Sequence, residues 1–167
     1  HNYIKKINKS LDESTTSQLT NSVLTFSDLI TNRKTDYKFD LEKFTNVNGK
    51  TGIYIQYAQV RAKKLLEGLK NNTPSTLIAN EVDTKLLSKL FLFGYFLEKS
   101  ASLNEPHHLA NYLYEISNLF NQFYEYEKIS DITDLDQITS KTYIANLFLT
   151  TSNSAMFCLG ISPVSKM

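Results

Sequence analysis

The chain has 167 residues, 18 Lys+Arg against 17 Asp+Glu, and a net charge of +1, which is enough for one domain or one domain with an appendage. With 41% hydrophobic residues, ten Tyr and ten Phe it can bury a core, and five Gly with three Pro are too few for a turn-rich all-β fold. The single cysteine, Cys158, excludes an internal disulfide and argues against a Cys-rich zinc site, and no apolar run approaches a membrane span.

In chain order, Leu19, Val23, Phe26 and Ile30 recur at helical spacing and predict an amphipathic helix over 15–31. Residues 32–49 have no period and read as a connecting segment with apolar points at Tyr37, Phe39, Leu41 and Phe44. A second helix is predicted from Gly52 to Leu69, with the stripe Ile55, Ala58, Ala62, Leu65, Leu66 and Leu69, ended by Asn71, Asn72, Thr73 and Pro74. A third runs from Val82 to Ala101, burying Leu86, Leu90, Phe93 and Leu97, with Gly94 in its interior as a point of close helix approach. A fourth begins at Pro106 and buries Leu109, Tyr112, Leu113, Ile116, Phe120 and Phe123. The acidic stretch Glu125–Asp136 reads as a loop. A fifth helix, Ser140–Leu159, buries Ile144, Leu147, Phe148, Thr151, Ala155 and Cys158 and stops at Gly160. The expectation is an all-α bundle of about five main helices without internal repeats.

The near-zero net charge hides an asymmetry. Residues 1–70 carry 12 Lys+Arg and 7 Asp+Glu, whereas 71–167 carry 6 and 10. A basic half can attract a phosphate backbone, although Lys-rich segments are also ordinary solvated surface.

Tyr54, Tyr57 and Arg61 cluster within about 60° of arc on one edge of the second helix's apolar stripe. Tyrosines at such a boundary can offer ring faces to unstacked bases, and an arginine there can stack or bind phosphate. The same positions also suit residues that only cap the core. Tyr124 is placed similarly on the fourth helix. His107 and His108 are adjacent, do not share a helix face, and read as a solvated helix start rather than a metal site. Cys158 lies on an apolar stripe and is expected to be an inert core thiol. No nucleophile triad, Gly-rich phosphate loop or paired-carboxylate site is evident.

Four ordered segments give the chain a family resemblance. FSDLITNRKTDYKFDLEKF (26–44) looks like a connector to a catalytic domain. TGIYIQYAQVRAKKLL (51–66) carries a YxQYAxxR core, PHHLANYLYEISNLFNQFYE (106–125) a YLYE and FNxFYE pattern, and LGISPVSKM (159–167) a terminal Leu-Gly-Ile, Pro and Met. Both arginines, Arg33 and Arg61, fall inside these segments. Together they resemble the C-terminal part of arginyl-tRNA synthetases, class I enzymes whose helical DALR domain binds the tRNA anticodon. The resemblance implies residues 1–45 as a connecting helix and segment from the catalytic-domain side and 46–167 as the anticodon-binding domain. It assigns Tyr57, Arg61, Tyr124 and Met167, with Tyr54 as a weaker member, to the anticodon loop. The tyrosines would stack or support bases, Arg61 would order the loop, and Met167 would lay its thioether on a base.

The sequence departs from the family pattern at Ile53, where Pro is frequent, and at Lys141 and Lys166, where Arg is frequent. The Lys141 exchange puts an arginine-dependent ion pair in doubt. The His-x-Gly-His and Lys-Met-Ser-Lys motifs of class I synthetases do not occur. With His1 in place of an initiator Met, the chain is expected to be a non-catalytic piece of a longer enzyme that uses ATP with Mg. The expected partners are arginine-acceptor tRNA and the parent's catalytic domain, in a cytoplasmic monomer away from membranes. With part of its apolar face unmatched, the first helix is expected to be displaced or to self-associate without that domain. A free-standing helical RNA-binding or protein-interaction module stays open as the other reading.

Overall fold

A computed structural model describes residues 4, 11–36, 38, 40–46, 48–69 and 72–167. Among the described residues the chain is helical throughout, with six helices of ten residues or more: α1 (Glu13–Leu29), α2 (Gly52–Leu66), α3 (Glu81–Leu90), α4 (Phe93–Leu103), α5 (His107–Tyr126) and α6 (Leu135–Cys158). A single helical turn, Leu41–Phe44, precedes α2, and a 3-10 turn, Ile129–Asp131, precedes α6. Tyr37 and Phe39 lie outside the described residues.

The helix starts are written locally. Asp12, Thr51, Asn80 and Asp134 each accept a backbone N–H with their side chains at the N-termini of α1, α2, α3 and α6. Asn80 and Asp83 form a reciprocal capping box. At the other end of α6, Gly160 takes φ +70°, and the Ile161 N–H reaches back to the Met156 carbonyl at 2.9 Å, a closure that favours glycine.

The main core lies between α2, α3, α5 and α6, centred on Ile55, Leu86, Leu113, Ile116, Phe120, Ile144 and Phe148. Phe120 and Phe148 stack at 4.1 Å between centroids. All six residues expected to form the buried face of α5 are buried. A second, smaller cluster joins α1 to the C-terminal tail through Leu19, Val23, Ile53 and Val164. Gly52 is where α1 and α2 touch: a Cβ there would overlap the Ser22 carbonyl and the Val23 nitrogen. Of the apolar face of α1, Leu19, Val23 and Phe26 are buried and Leu24 stays exposed.

The predicted 82–101 helix is two helices. Phe91 and Leu92 form a turn, and the buried Tyr112 hydroxyl donates to the Leu90 carbonyl at 3.1 Å, the acceptor that a continuous helix would offer to residue 94. The bend lets α4 fold back so that Phe96 stacks on Tyr112 at 4.9 Å. Gly94 therefore sits in the first turn of α4 with open space around it, not at a close helix approach. The last helix starts five residues earlier than expected, at Leu135. Cys158 is exposed, because the final turn of α6 buries Met156 and Leu159 and turns Phe157 and Cys158 outward.

Candidate nucleic-acid interface

Arg61 is positioned by α2 between two rings. Its guanidinium carbon lies 4.3 Å from the Tyr57 ring centroid and 4.9 Å from that of Tyr124 on α5. In-plane, Nη1 donates to Glu125 Oε1 at 2.8 Å and to Asn121 Oδ1 at 3.1 Å. Burial works against the charge on Arg61, but the contacts with Glu125 and Tyr57 outweigh it and hold the pKa above the ordinary arginine value. One turn before Tyr57, the Tyr54 hydroxyl donates to Asn118 Oδ1 at 3.1 Å, and its ring lies 5.5 Å from Tyr114. Tyr54, Tyr57 and Arg61 open with Asn48, Asn118, Asn121, Gln122 and Glu125 onto a groove of about 550 Å³.

A larger cavity of about 780 Å³ shares Glu125 with it and is lined by Tyr124. Its walls are Leu65, Leu69, Ile129 and Ile132, with the carboxylates Glu67, Glu125 and Glu127. It contains neither Arg61 nor Tyr57, and its lining is more apolar, with Glu67, Glu125 and Glu127 outnumbering Lys64 and Lys128, so the smaller polar groove is the stronger nucleic-acid candidate.

Met167 is not part of the Arg61 cluster. It packs in the second core cluster with Val60 and Val164, held there by a clamp on the tail. The buried Gln56 donates through Nε2 to Ser22 Oγ at 2.7 Å and to the Ser162 carbonyl at 2.8 Å, while its Oε1 accepts from the Val164 N–H at 2.9 Å. Lys63 Nζ donates to the Val164 carbonyl at 2.8 Å, and Lys166 pairs with Asp12 at 3.1 Å. At 100° per residue, Gln56, Val60 and Lys63 sit about 60–120° round α2 from Tyr57, on the side away from Arg61.

Sequence reasoning missed the amide wall of the groove. Asn118, Asn121, Gln122 and Glu125 recur at helical spacing on α5, and that polar stripe beside Tyr124 was the available signal. It also misjudged two other places. Lys141 does form a buried ion pair, with Nζ 2.8 Å from Asp83 Oδ1 and 3.5 Å from Glu127, because a point charge suffices where Asp83 spends its other oxygen on the Asn80 cap. His107 and His108 are half-buried, not solvated; their rings lie 4.1 Å apart and His108 Nε2 is 3.2 Å from Glu105. Ligand atoms of Glu105, His107 and His108 fall within 4.8 Å of one another, but Lys34 pairs with Glu105 at 3.4 Å and Lys99 acts on His107, a positive field that disfavours a further cation. Burial, then the neighbouring His108, pushes the His107 pKa down.

The arrangement has relatives. A family model described as the DALR anticodon binding domain matches residues 55–167. The chain is 31% identical over 166 residues to an arginine–tRNA ligase of Francisella tularensis subsp. novicida, covering 93% of this chain and 29% of that protein. It is 33% identical over 147 residues to one from Frankia casuarinae, covering 85% and 24%. Its fold is similar to that of an arginyl-tRNA synthetase of Thermus thermophilus, with a TM-score of 0.89 at 20% identity over 99% of this chain and 30% of that one. A Plasmodium falciparum arginyl-tRNA synthetase gives a TM-score of 0.80 at 22% identity over the same shares. The chain thus spans less than a third of the curated relatives it matches. On the match to residues 55–167, which takes in α2 from Ile55 onward, the amide wall of α5 and the C-terminal tail, the chain belongs to the DALR anticodon-binding domain family.

Proposed function

We propose that this chain is the tRNA anticodon-binding portion of an arginyl-tRNA synthetase and that the groove beside Arg61 receives the splayed anticodon bases. The observation that carries the reading is Arg61 held against the Tyr57 and Tyr124 rings, with Tyr57 and Arg61 lining a polar groove. Such a stack gives flat, partly exposed tyrosine faces, held in place by the guanidinium between them, to unpaired bases, whose stacking is worth about 1–3 kcal/mol per base. Tyr54 supports the wall through Asn118. Arg61 orders the loop, and Met167, at the end of the clamped tail, lays its thioether against a base from the other flank of α2. Residues 46–167 form the anticodon-binding body, and 1–45 lead toward the catalytic domain. The intact enzyme, a cytoplasmic monomer in this reading, joins arginine to its tRNA using ATP with Mg. None of that chemistry is assigned to residues of this chain.

The test is to measure tRNA affinity and thermal midpoint together. Tyr57→Ala and Arg61→Ala should each weaken binding by about 1–3 kcal/mol with the midpoint within a few degrees of the parent. A large fall in the midpoint of both, with affinity lost only in proportion to unfolding, would make these residues core-capping rather than base-binding.

A further inference from the structure

Asn121 lies on α5 at the floor of the groove and is 6% exposed. Its Oδ1 accepts from Arg61 Nη1 at 3.1 Å. A guanidinium has only donors, so this contact fixes the amide: oxygen toward Arg61, NH2 away from it. Among the described residues the buried side-chain polar atoms without a partner are Gln59 Oε1, His107 Nδ1 and Asn153 Oδ1. The Asn121 NH2 is not one of them and has no acceptor among the described residues, and Asn121 lines the groove, so the NH2 faces it. Asn118 lies one turn earlier, where its Oδ1 accepts from the Tyr54 hydroxyl; a hydroxyl can also accept, so that partner constrains the amide less than a donor-only guanidinium does.

We infer that Asn121 is a specificity-determining residue: its NH2 donates to an acceptor on the edge of an unpaired RNA base lying over the Tyr57–Arg61–Tyr124 stack. The inference rests on the anticodon-binding reading and deepens it. Stacking accepts any base, because every base has a π-face. A fixed donor does not, because a base that presents an amino group there leaves two donors facing each other. A donor on a nearly buried side chain makes the penalty larger than the loss of one hydrogen bond, since the wrong base leaves it unpaired.

The experiment measures binding of the 167-residue chain to arginine-tRNA anticodon stem-loops with each anticodon base replaced in turn, for the parent and for Asn121→Asp. Aspartate keeps the shape and the acceptor for Arg61 but turns the NH2 donor into an oxygen. Its added charge weakens all loops alike, so the readout is the ratio between loops. At one anticodon position the preference should fall by about 10-fold or reverse, with the other positions unchanged. Identical ratios in both proteins would overturn the role of Asn121 while leaving anticodon binding intact. A parent chain that binds every loop equally would overturn the anticodon reading itself, and this inference with it. If Asn121→Asp fails to fold, the parent chain decides with loops carrying deaza bases that lack one acceptor nitrogen and with 2-thio or 4-thio pyrimidines that weaken an acceptor oxygen. One such change should cost about 10-fold, and a series in which none costs more than about 2-fold would overturn the inference.

Discussion

Arg61 is tied into the fold at the same point where the proposed interface needs it. Its faces are covered by Tyr57 and Tyr124 and its edge is tied to Glu125 and Asn121, so it is rigid before any ligand arrives, and the ordering cost of binding falls. Lys141 is the opposite case, a charge spent wholly on the fold. Both it and Asp83 are buried, so Lys141→Ala leaves an unpaired carboxylate in the core and should destabilise the protein by about 3–5 kcal/mol in denaturant unfolding. Replacing both partners together with apolar residues should cost less than Lys141→Ala alone. The aromatic edge was legible in the sequence because Tyr54, Tyr57 and Arg61 fall on one arc of α2 beside an apolar stripe. The polar interior was not. Gln56, Gln59, Asp83 and Lys141 are all buried, and residues of these types mark surface unless a partner distant in sequence satisfies them. Asn121 escaped for a related reason: only the contact with Arg61, sixty residues away, gives its amide a direction.

Among elements, the α1–α2 contact and the tail make one unit around Gln56. Gly52→Ala should push the helices apart and lower stability by about 1–3 kcal/mol, read as a fall in thermal midpoint. The start of α1 is tied to the tail by Asp12, whose carboxyl is held down to about 2, from an ordinary 3.8, by the Thr15 backbone N–H and by Lys166. A folded-state pKa below the unfolded one stabilises in full above the ordinary value and is lost as pH falls through the folded value. Acidification from about pH 4 to pH 2 should therefore loosen the start of α1 and residues 162–167, seen as faster amide exchange there, and Asp12→Asn should remove that pH dependence. Helix existence was legible from period alone for α1, α2, α5 and α6. The break between α3 and α4 was not, because Leu90, Phe93 and Leu97 keep a helical period across it. It is tertiary, set by the Tyr112 hydroxyl on the Leu90 carbonyl.

For the whole molecule, the bundle sets the two components of the proposed interface on different flanks of α2: the Arg61 groove between α2 and α5, and the tail that Gln56 and Lys63 hold on the far side. The groove itself carries a compensated charge, Arg61 against Glu125, so its selectivity should come from stacking and amide contacts. The excess lysines of residues 1–70 then supply attraction that does not depend on sequence. The two contributions separate under salt. The most direct measurement is the affinity of this chain for arginine tRNA and for an anticodon-swapped version across a salt series. The account predicts that both affinities fall as salt rises while the preference for the native anticodon persists. Equal affinity for the two tRNAs at every salt concentration would contradict it and reduce the interface to a general electrostatic contact.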